Sequence, residues 1–203
     1  PRSTRKESSA ASDVYKRQAM LVFTIIFGGL AKMPSDGSPY ALFSYTALVP
    51  WTYFSTSVLR STQSLIANAS IITKVYFPRM IIPLVPVVAG LLDFFIALLV
   101  TFFLMFWFGV GLNPNIIFIP FLILIMILSS SGIGLLFSAL AVQYRDVKHA
   151  MSFMIQILMY AAPVVWPVSI LVEKYSYKIY HMYSIYPMVG VIEGFRSAII
   201  GNN

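Results

Sequence analysis

Long uncharged apolar stretches follow one another along this chain, and they constrain its fold more than any other feature. They cover residues 19–31, 41–59, 80–92, 94–109, 116–144 and 149–172. A single acid, Asp93, separates the third stretch from the fourth. A helix that crosses a hydrocarbon core needs about 20 apolar residues, and stretches near that length recur here. A soluble domain lacks the interior to hide so much apolar sequence, so the pattern predicts an all-α, polytopic membrane helix bundle.

The composition excludes several classes of function. The chain has 59% hydrophobic and 10% charged residues, with a mean hydropathy of +0.82. It has no cysteine, so disulfides, thiol catalysis and thiolate metal sites are excluded. The two histidines, His149 and His181, lie apart in the sequence, and we expect no metal site. The formal charge is +7, but five of the bases lie in the first eighteen positions, so we expect no nucleic-acid partner.

The first eighteen residues differ in character from the rest of the chain. They are polar and rich in serine, lack an initiator Met, and meet the apolar segment that follows without a transition. We interpret 1–18 as a non-native, adaptor-derived segment, with a basic juxtamembrane arm as the alternative. Residues 19–203 then form one transmembrane domain. The stretch 19–31 is too short to cross alone, which suggests a truncated first helix.

The remaining apolar stretches predict four full crossings, and polar segments rich in turn residues separate them. The predicted crossings cover about 41–60, 81–109, 116–141 and 150–168. Pro163 and Pro167 should break the last of these near its end. The segment after it is rich in tyrosine and too interrupted for a simple crossing. The distribution of Lys and Arg between alternate loops is almost even, so it does not determine the orientation.

The segment NASIITKVYFPRMIIP, at 68–83, lies between two predicted crossings and mixes apolar with basic residues. Pro78 should stop any helix there. One interpretation is an interfacial helix whose basic side chains reach lipid phosphates. The other is a docking element for a soluble partner. The chain has no phosphate-binding loop of the form GxxxxGK[ST], so it cannot bind and hydrolyse ATP in that way.

Three aromatic residues, Trp51, Tyr53 and Phe54, lie near the middle of the predicted crossing 41–60. Trp51 is roughly 15 Å from either end, too deep for an interfacial aromatic belt. The pattern favours packing against neighbouring helices. The alternative is a pathway surface on which aromatic rings stack on sugar rings while the tyrosine hydroxyl offers a hydrogen bond.

Two further features concern the interior of the predicted bundle. Asp93 is the only charged residue deep within a predicted crossing. We favour a structural hydrogen bond to a neighbouring helix over a transport role for it. Ser130, Gly134 and Ser138 recur every four residues, a spacing that allows close helix packing within the subunit or across a dimer.

The run from Leu48 to Val100, which contains the 68–83 segment, resembles the permease subunits of type-2 ATP-binding-cassette exporters. It is most similar to the permeases that export O-antigen, capsule or teichoic-acid polysaccharides. The resemblance continues through LLFSALAVQYRDVKHAMSFMIQILMYAAPVVWP and YPMVGVIEGFRSAIIG, and covers essentially all of 19–203. It implies a six-helix permease fold, of which this chain holds about five crossings and an outer re-entrant segment. The family's amino-terminal amphipathic helix and last crossing have no counterpart here, so we interpret the chain as a fragment.

The resemblance also implies roles for particular residues. The segment 68–79 corresponds to a coupling helix that contacts a separate ATPase subunit, and QYRDVKHA corresponds to the next cytoplasmic turn. The implied coupling residues are Asn68, Ile71, Ile72, Lys74, Val75, Phe77, Arg79, Arg145 and Asp146. With the family in view, packing and a translocation path become equally good explanations of the three central aromatics. Glu193 and Arg196, three residues apart, form either a surface pair or an outer gate.

These features predict a permease that works as a homodimer with two ATPase subunits and moves a lipid-linked glycan across the bacterial cytoplasmic (inner) membrane. The chain itself would bind no cofactor, and ATP and magnesium would belong to the ATPase. One alternative is export of a small lipophilic drug or lipid by the same architecture. Another is a membrane-embedded transferase, although Asp93, Asp146 and Glu193 are scattered along the sequence. A scaffold without transport would leave the central aromatics without a use.

Overall fold

The computed structural model describes residues 40–72, 74, 78–111, 113–144, 146–164 and 186–201. Its helices are α1 (Tyr40–Ala67), α2 (Ala69–Ile72), α3 (Ile81–Trp107), α4 (Ile119–Gln143), α5 (Val147–Ala161) and α6 (Pro187–Ile199). A 3₁₀ turn, Pro114–Phe118, leads directly into α4. No strand occurs among the residues described. The prediction of an all-α fold is confirmed for this part of the chain.

Two helical segments of the described part, Ile81–Trp107 and Pro114–Gln143, are long and apolar enough to cross a membrane. Their positions match the predicted crossings 81–109 and 116–141. At 1.5 Å per residue, the 27 residues of α3 extend about 40 Å. Helix α1 has 28 residues, which is also long enough, but its many serine and threonine side chains make it less apolar. It continues past the predicted end at residue 60 to Ala67.

The predicted crossing 150–168 differs from the helix found there. Helix α5 begins earlier, at Val147, and ends at Ala161 after 15 residues, about 22 Å, which is too short to cross a membrane alone. Ala162 has an extended backbone, with ψ at 147°. The residue before a proline is driven out of the helical region, so Pro163 accounts for the end of α5. Residues 165–168 lie outside the described part of the chain.

Helix α1 lies at the centre of the bundle. It packs mainly against α3 and α4, and also against α6 and α5. Its side chains from Leu42 to Phe54 are mostly buried. A proline occurs inside α1, at Pro50, and another inside α3, at Pro86, without ending either helix. Neighbouring helices and hydroxyl side chains can satisfy backbone groups freed by proline in a membrane bundle, which explains why these prolines are tolerated.

Small residues allow α1 to approach its neighbours closely. A Cβ atom added to Gly134 of α4 would lie 2.8 Å from the Cβ atom of Ser61, closer than such atoms pack. The Ser61 hydroxyl also donates a hydrogen bond to the Pro83 carbonyl of α3. Ser130 and Ser138, one turn either side of Gly134, are buried as well. The stripe of small residues therefore serves packing within the subunit, one of its two predicted roles.

The described helices run back and forth, so their ends gather at two opposite sides of the bundle. The end of α1, the start of α3 and the turn between α4 and α5 lie on one side, which we call the connection end. The start of α1, the end of α3 and the start of α4 lie on the other, which we call the α6 end. There the Asn113 amide donates to the Ser197 carbonyl of α6, 3.2 Å away.

Candidate functional site

The connection between α1 and α3 begins with a sharp turn at Asn68. The side-chain amide of Asn68 donates to the Ser64 carbonyl at 2.8 Å. The backbone carbonyl of Asn68 accepts from the N–H groups of Ile71 and Ile72. These bonds close the single helical turn of α2. The predicted coupling helix is therefore only four residues long in the described part. Its geometry is fixed locally, because the side chain of Asn68 satisfies the last turn of α1 while its backbone starts the next.

Of the five predicted coupling residues that the structure describes in this connection, three are exposed. Ile71 is 51% exposed, and Lys74 and Arg79 also lie on the surface. Ile72 is half-buried. Met80 and Ile81 add two more exposed apolar side chains beside them. Val75 and Phe77 lie outside the described residues.

A groove of about 300 Å³ lies next to this connection. The end of α1 and the turn of α2 form one wall, with Asn68 and Ile71, and the start of α3 forms the other, with Ile81 and Val85. Its lining is almost entirely apolar. Exposed isoleucines around an apolar groove, flanked by Lys74 and Arg79, are a surface suited to a protein partner.

The turn between α4 and α5 lies at the same connection end. Tyr144 ends α4, and its N–H bonds to the Leu140 carbonyl. The backbone carbonyl of Asp146 accepts from the N–H groups of His149 and Ala150, which starts α5. The side chain of Asp146 makes no capping bond and is exposed. The Asp146 carboxylate is therefore free of a capping bond and exposed at the same side of the bundle as the α1–α3 connection. Arg145 lies outside the described residues.

The three central aromatics are packed inside the bundle. Trp51 and Tyr53 are each 3% exposed and Phe54 is 1% exposed. The rings of Trp51 and Phe54 are 5.8 Å apart. The Tyr53 ring meets Phe94 of α3 edge-on at 5.6 Å, and its hydroxyl donates to the Val87 carbonyl at 3.0 Å. All three side chains are buried, as the packing explanation requires, and the translocation role stays a prediction.

Glu193 and Arg196 are not a surface pair. The Arg196 side chain is 5% exposed, and its Nη1 lies 2.8 Å from Oε1 of Glu193, which is 36% exposed. Nη2 donates to the Val164 carbonyl at 3.0 Å, and the guanidinium lies 3.7 Å from the centre of the Phe43 ring. Arg196 therefore joins α6, the start of α1 and the segment after α5. The outer gate remains a prediction, and the position of Arg196 between these three segments is compatible with it.

Two contacts of the Arg196 side chain were not evident from the sequence. Phe43 lies 153 positions before Arg196, and the Val164 contact is made by a backbone carbonyl, which carries no side-chain signal. Tyr186, directly before α6, is half-buried, and burial raises the pKa of its hydroxyl above the ordinary value. The neutral tyrosine contributes bulk rather than charge.

Asp93 is half-exposed in the middle of α3. The structure records no hydrogen bond from its side chain to another helix within the described residues, so the predicted structural bond is absent there. Asp146 lies at the connection end and Glu193 at the α6 end. No group of three His, Asp or Glu side chains in the described part could hold a metal ion. The three acids are thus spread over the length of the bundle and form no shared centre of the kind a transferase needs.

Comparison with known proteins gives a consistent result. The sequence profile of the ABC-2 type transporter family matches residues 9–200. Two relatives from Klebsiella pneumoniae, both named O-antigen export system permease protein RfbA, are 32% and 31% identical over 178 residues. Each alignment covers 85% of this chain and 68% of the relative. A protein of the same name from Myxococcus xanthus is 25% identical over 178 residues, covering 88% of this chain and 67% of the relative.

Proposed function

Since this chain belongs to the ABC-2 type transporter family, we propose that it is the permease of an exporter that moves a lipid-linked polysaccharide across the bacterial cytoplasmic membrane. The observation that carries the proposal is the similarity to two O-antigen export permeases, at 32% and 31% identity over 85% of the chain. The substrate would be a glycan of the O-antigen, capsule or teichoic-acid type. The chain is a transporter subunit rather than an enzyme, and ATP is hydrolysed on a separate subunit.

The connection end is the side at which the ATPase would dock. The support is the exposure of Ile71, Lys74 and Arg79 around an apolar groove, together with exposed Asp146 at the same side. A soluble partner can bury the isoleucines and pair with both signs of charge. ATP and magnesium would be bound by that partner.

Movement of the ATPase would reach the membrane helices through bonds seen in this structure. Asn68 holds the connection to the last turn of α1 through the Ser64 carbonyl. Seven residues before Asn68, Ser61 binds the Pro83 carbonyl of α3. A push on the connection therefore moves α1 and α3 as a unit. In a homodimer, two such units would separate to open a path for the glycan chain, with no bond made or broken by this subunit.

The α6 end would form the outer mouth of that path. Arg196 holds α6 against Phe43 of α1 and the Val164 carbonyl, so its release would free α6 to move. The central aromatics Trp51, Tyr53 and Phe54 would need to turn out of the bundle to meet a glycan. Their proposed role in translocation therefore requires a conformation other than the one described.

The proposal can be tested in a bacterium that lacks its own O-antigen export permease but keeps the matching glycan synthesis and ATPase. We expect expression of the protein with its ATPase to restore glycan at the cell surface. Without the protein, the lipid-linked glycan should accumulate on the cytoplasmic face of the membrane, where a periplasmic ligase cannot reach it. An ATPase with its nucleotide-binding lysine replaced is the matched control and should give the same accumulation. Failure of the protein and its ATPase to restore surface glycan, with the lipid-linked glycan still accumulating on the cytoplasmic face, would contradict the proposal.

A further inference from the structure

The helices of the bundle differ in the surfaces they leave uncovered. On α3, the uncovered side chains are apolar along the whole helix, with Val85, Val88, Leu92, Leu99 and Phe103 among them. Val85, Val88 and Leu92 are among the side chains that line an apolar hollow of about 630 Å³. The uncovered side chains of α4 are apolar as well. Such faces suit lipid chains, which neither donate nor accept hydrogen bonds.

The uncovered face of α1 is mostly polar instead, although Leu59 and Ile66 also lie on it. Its polar members, which we call the hydroxyl face, are Thr52, Ser55, Thr56, Arg60 and Gln63, and all are half-buried or exposed. Their spacing of three, one, four and three residues places them on one side of a helix. The face extends about 17 Å along the axis at 1.5 Å per residue. It lies on the turns of α1 that pair with the apolar helix α3, within the region expected to cross the membrane.

Asp93 of α3 lies beside this face. A small cleft of about 30 Å³ between α1 and α3 is lined by Thr52, Thr56, Arg60 and Asp93, together with the less polar Val49, Tyr53, Gly90 and Phe94. Both charged residues thus line the same cleft, yet no ion pair joins them among the described residues. An acid and a base that share a cleft without pairing keep their hydrogen-bonding capacity for water or a ligand.

The hydroxyl groups are oriented to accept hydrogen bonds. Thr52 donates its proton to the Leu48 carbonyl at 2.6 Å, and Thr56 donates to the Thr52 carbonyl at 2.7 Å. Ser55 also donates to the Thr52 carbonyl, at 3.1 Å. Each oxygen keeps lone pairs, because these bonds use only the hydroxyl proton. Arg60 adds donors at the same cleft, so the face offers acceptors and donors together.

Neither lipid nor a closely packed second copy fits this face. Lipid would leave the charge of Asp93, in the middle of α3, in hydrocarbon, which is costly. A second copy packed directly on the face would bury Arg60 and Asp93 without the ion pair that could offset their desolvation.

We propose that the hydroxyl face of α1, together with Asp93, lines a hydrated path and binds the hydroxyl groups of a carbohydrate chain during translocation. Sugars present many hydroxyl groups that both donate and accept, which matches the mixed groups of this face. Weak contacts repeated along about 17 Å would hold a chain and still let it slide. The carbohydrate nature of the ligand rests on the proposed function, whereas the hydrated state of the face does not.

Cysteine labelling tests the hydration of the face. Because the chain has no cysteine, each single variant carries one unique thiol. We expect Thr52→Cys and Thr56→Cys, in membranes with the ATPase present, to react with a charged, membrane-impermeant methanethiosulfonate reagent. Leu92→Cys is the matched control, because Leu92 neighbours Asp93 at the same depth but lies on the apolar face of α3. It should not react. Absence of labelling at both threonine positions would overturn the proposal, and strong disulfide cross-linking between copies without labelling would assign the face to a subunit interface.

Removal of single hydroxyls tests the contact with the carbohydrate. Thr52→Val and Thr56→Val keep the side-chain shape, and we expect each to lower glycan export per molecule by roughly two- to tenfold, the worth of one hydrogen bond. Thr62→Val is the matched control, since Thr62 makes the same kind of backbone bond on α1 but is buried. It should leave export per molecule unchanged. If the face labels with the charged reagent but both Thr→Val variants export normally, the path is hydrated and the carbohydrate contact is wrong. If the wild-type protein exports no glycan, the labelling result still decides whether the face is hydrated, so failure of the proposed function is seen separately.

Discussion

The interior of the bundle and the connection between α1 and α3 place opposite demands on their side chains. Inside the bundle, Phe54 belongs to the buried apolar cluster and Arg196 joins α6 to α1 and to the segment after α5, and both are almost fully buried. In the connection, Ile71 and Lys74 point outward and make few contacts with their own chain. A substitution in the interior should therefore change the free energy of unfolding. A substitution in the connection should leave that free energy nearly unchanged and act on the partner instead.

The largest expected effect on the interior comes from Phe54→Ala. It leaves a cavity among tightly packed helices, and we expect the free energy of unfolding to fall by about 3 kcal/mol, the low end of the range for such changes in soluble proteins. The lower value applies because burial of apolar groups away from water contributes little between helices in lipid. Phe103→Ala, on the exposed face of α3, is the control and should cost much less. Unfolding by SDS titration in mixed micelles measures both, and equal losses would remove the contrast between interior and surface.

The second-largest expected loss in the free energy of unfolding comes from Arg196→Gln. The change removes the charged hydrogen bond to the Val164 carbonyl and the contact with the Phe43 ring, and we expect a loss of about 2 kcal/mol. Glu193→Gln should cost less than about 1 kcal/mol, because Glu193 is partly exposed and its ion pair is screened. The same unfolding assay measures both variants. If Arg196 only clamps the α6 end, export per molecule stays normal in Arg196→Gln, whereas a gate predicts leakage of small solutes through the permease.

A smaller change tests the close approach of α1 and α4. The methyl group of Gly134→Ala would collide with Ser61, and we expect a loss of about 1–2 kcal/mol from overpacking. Gly132→Ala, two residues away on the same helix, meets nothing within 4 Å and is the control. Because alanine also favours helix over glycine, the control should be neutral or slightly stabilising. Ser61→Gly loses the bond to the Pro83 carbonyl and is destabilising by itself, so the two changes are compared in a double-mutant cycle. We expect Gly134→Ala to cost less in the Ser61→Gly background than in the wild-type protein. Equal costs in both backgrounds would show that the two positions do not meet.

The smallest effect on stability belongs to the connection. The double variant Ile71→Asp with Lys74→Asp changes exposed side chains, so the free energy of unfolding should change by less than about 0.5 kcal/mol per site. We expect copurification of the ATPase and export to fall sharply, because the apolar contact is lost and the charge is reversed. Ile117→Asp, an exposed isoleucine at the opposite end of the bundle, is the control and should keep the ATPase bound. Full export by the double variant would reject docking at this connection.

Much of the fold could be predicted from the sequence, because hydrophobic length is a local property. The crossings expected at 81–109 and 116–141 coincide with α3 and the Pro114–Gln143 segment. Proline positions also have local consequences, and the end of α5 at Ala161 before Pro163 follows from them. The length of α5 was overestimated because apolar composition continues beyond the residue at which backbone geometry ends the helix.

The candidate sites were only partly predictable. The docking segment that the family resemblance implied stays a prediction, and its residues Ile71, Lys74 and Arg79 are exposed. The central aromatics illustrate the limit: depth along a helix can be counted in the sequence, but the direction of a side chain cannot. Tyr53 is buried and bonds to the Val87 carbonyl of α3, whereas Thr52, its neighbour, is half-buried and lies on the uncovered face of α1. One residue of rotation, about 100°, separates a packing residue from a candidate pathway residue.

The sequence by itself determined that this chain is a helical membrane protein without thiol chemistry and without a phosphate-binding loop of its own. These properties depend on composition and on patterns a few residues long. They can be recognised without knowing which residues are in contact in the folded chain. Only the tertiary structure decided that Arg196 is buried against Phe43, that Gly134 meets Ser61, and that the uncovered face of α1 is mostly polar. The first two contacts join residues 153 and 73 positions apart. They depend on which face each helix turns toward its neighbours, and that choice is made by the packing of all the helices together.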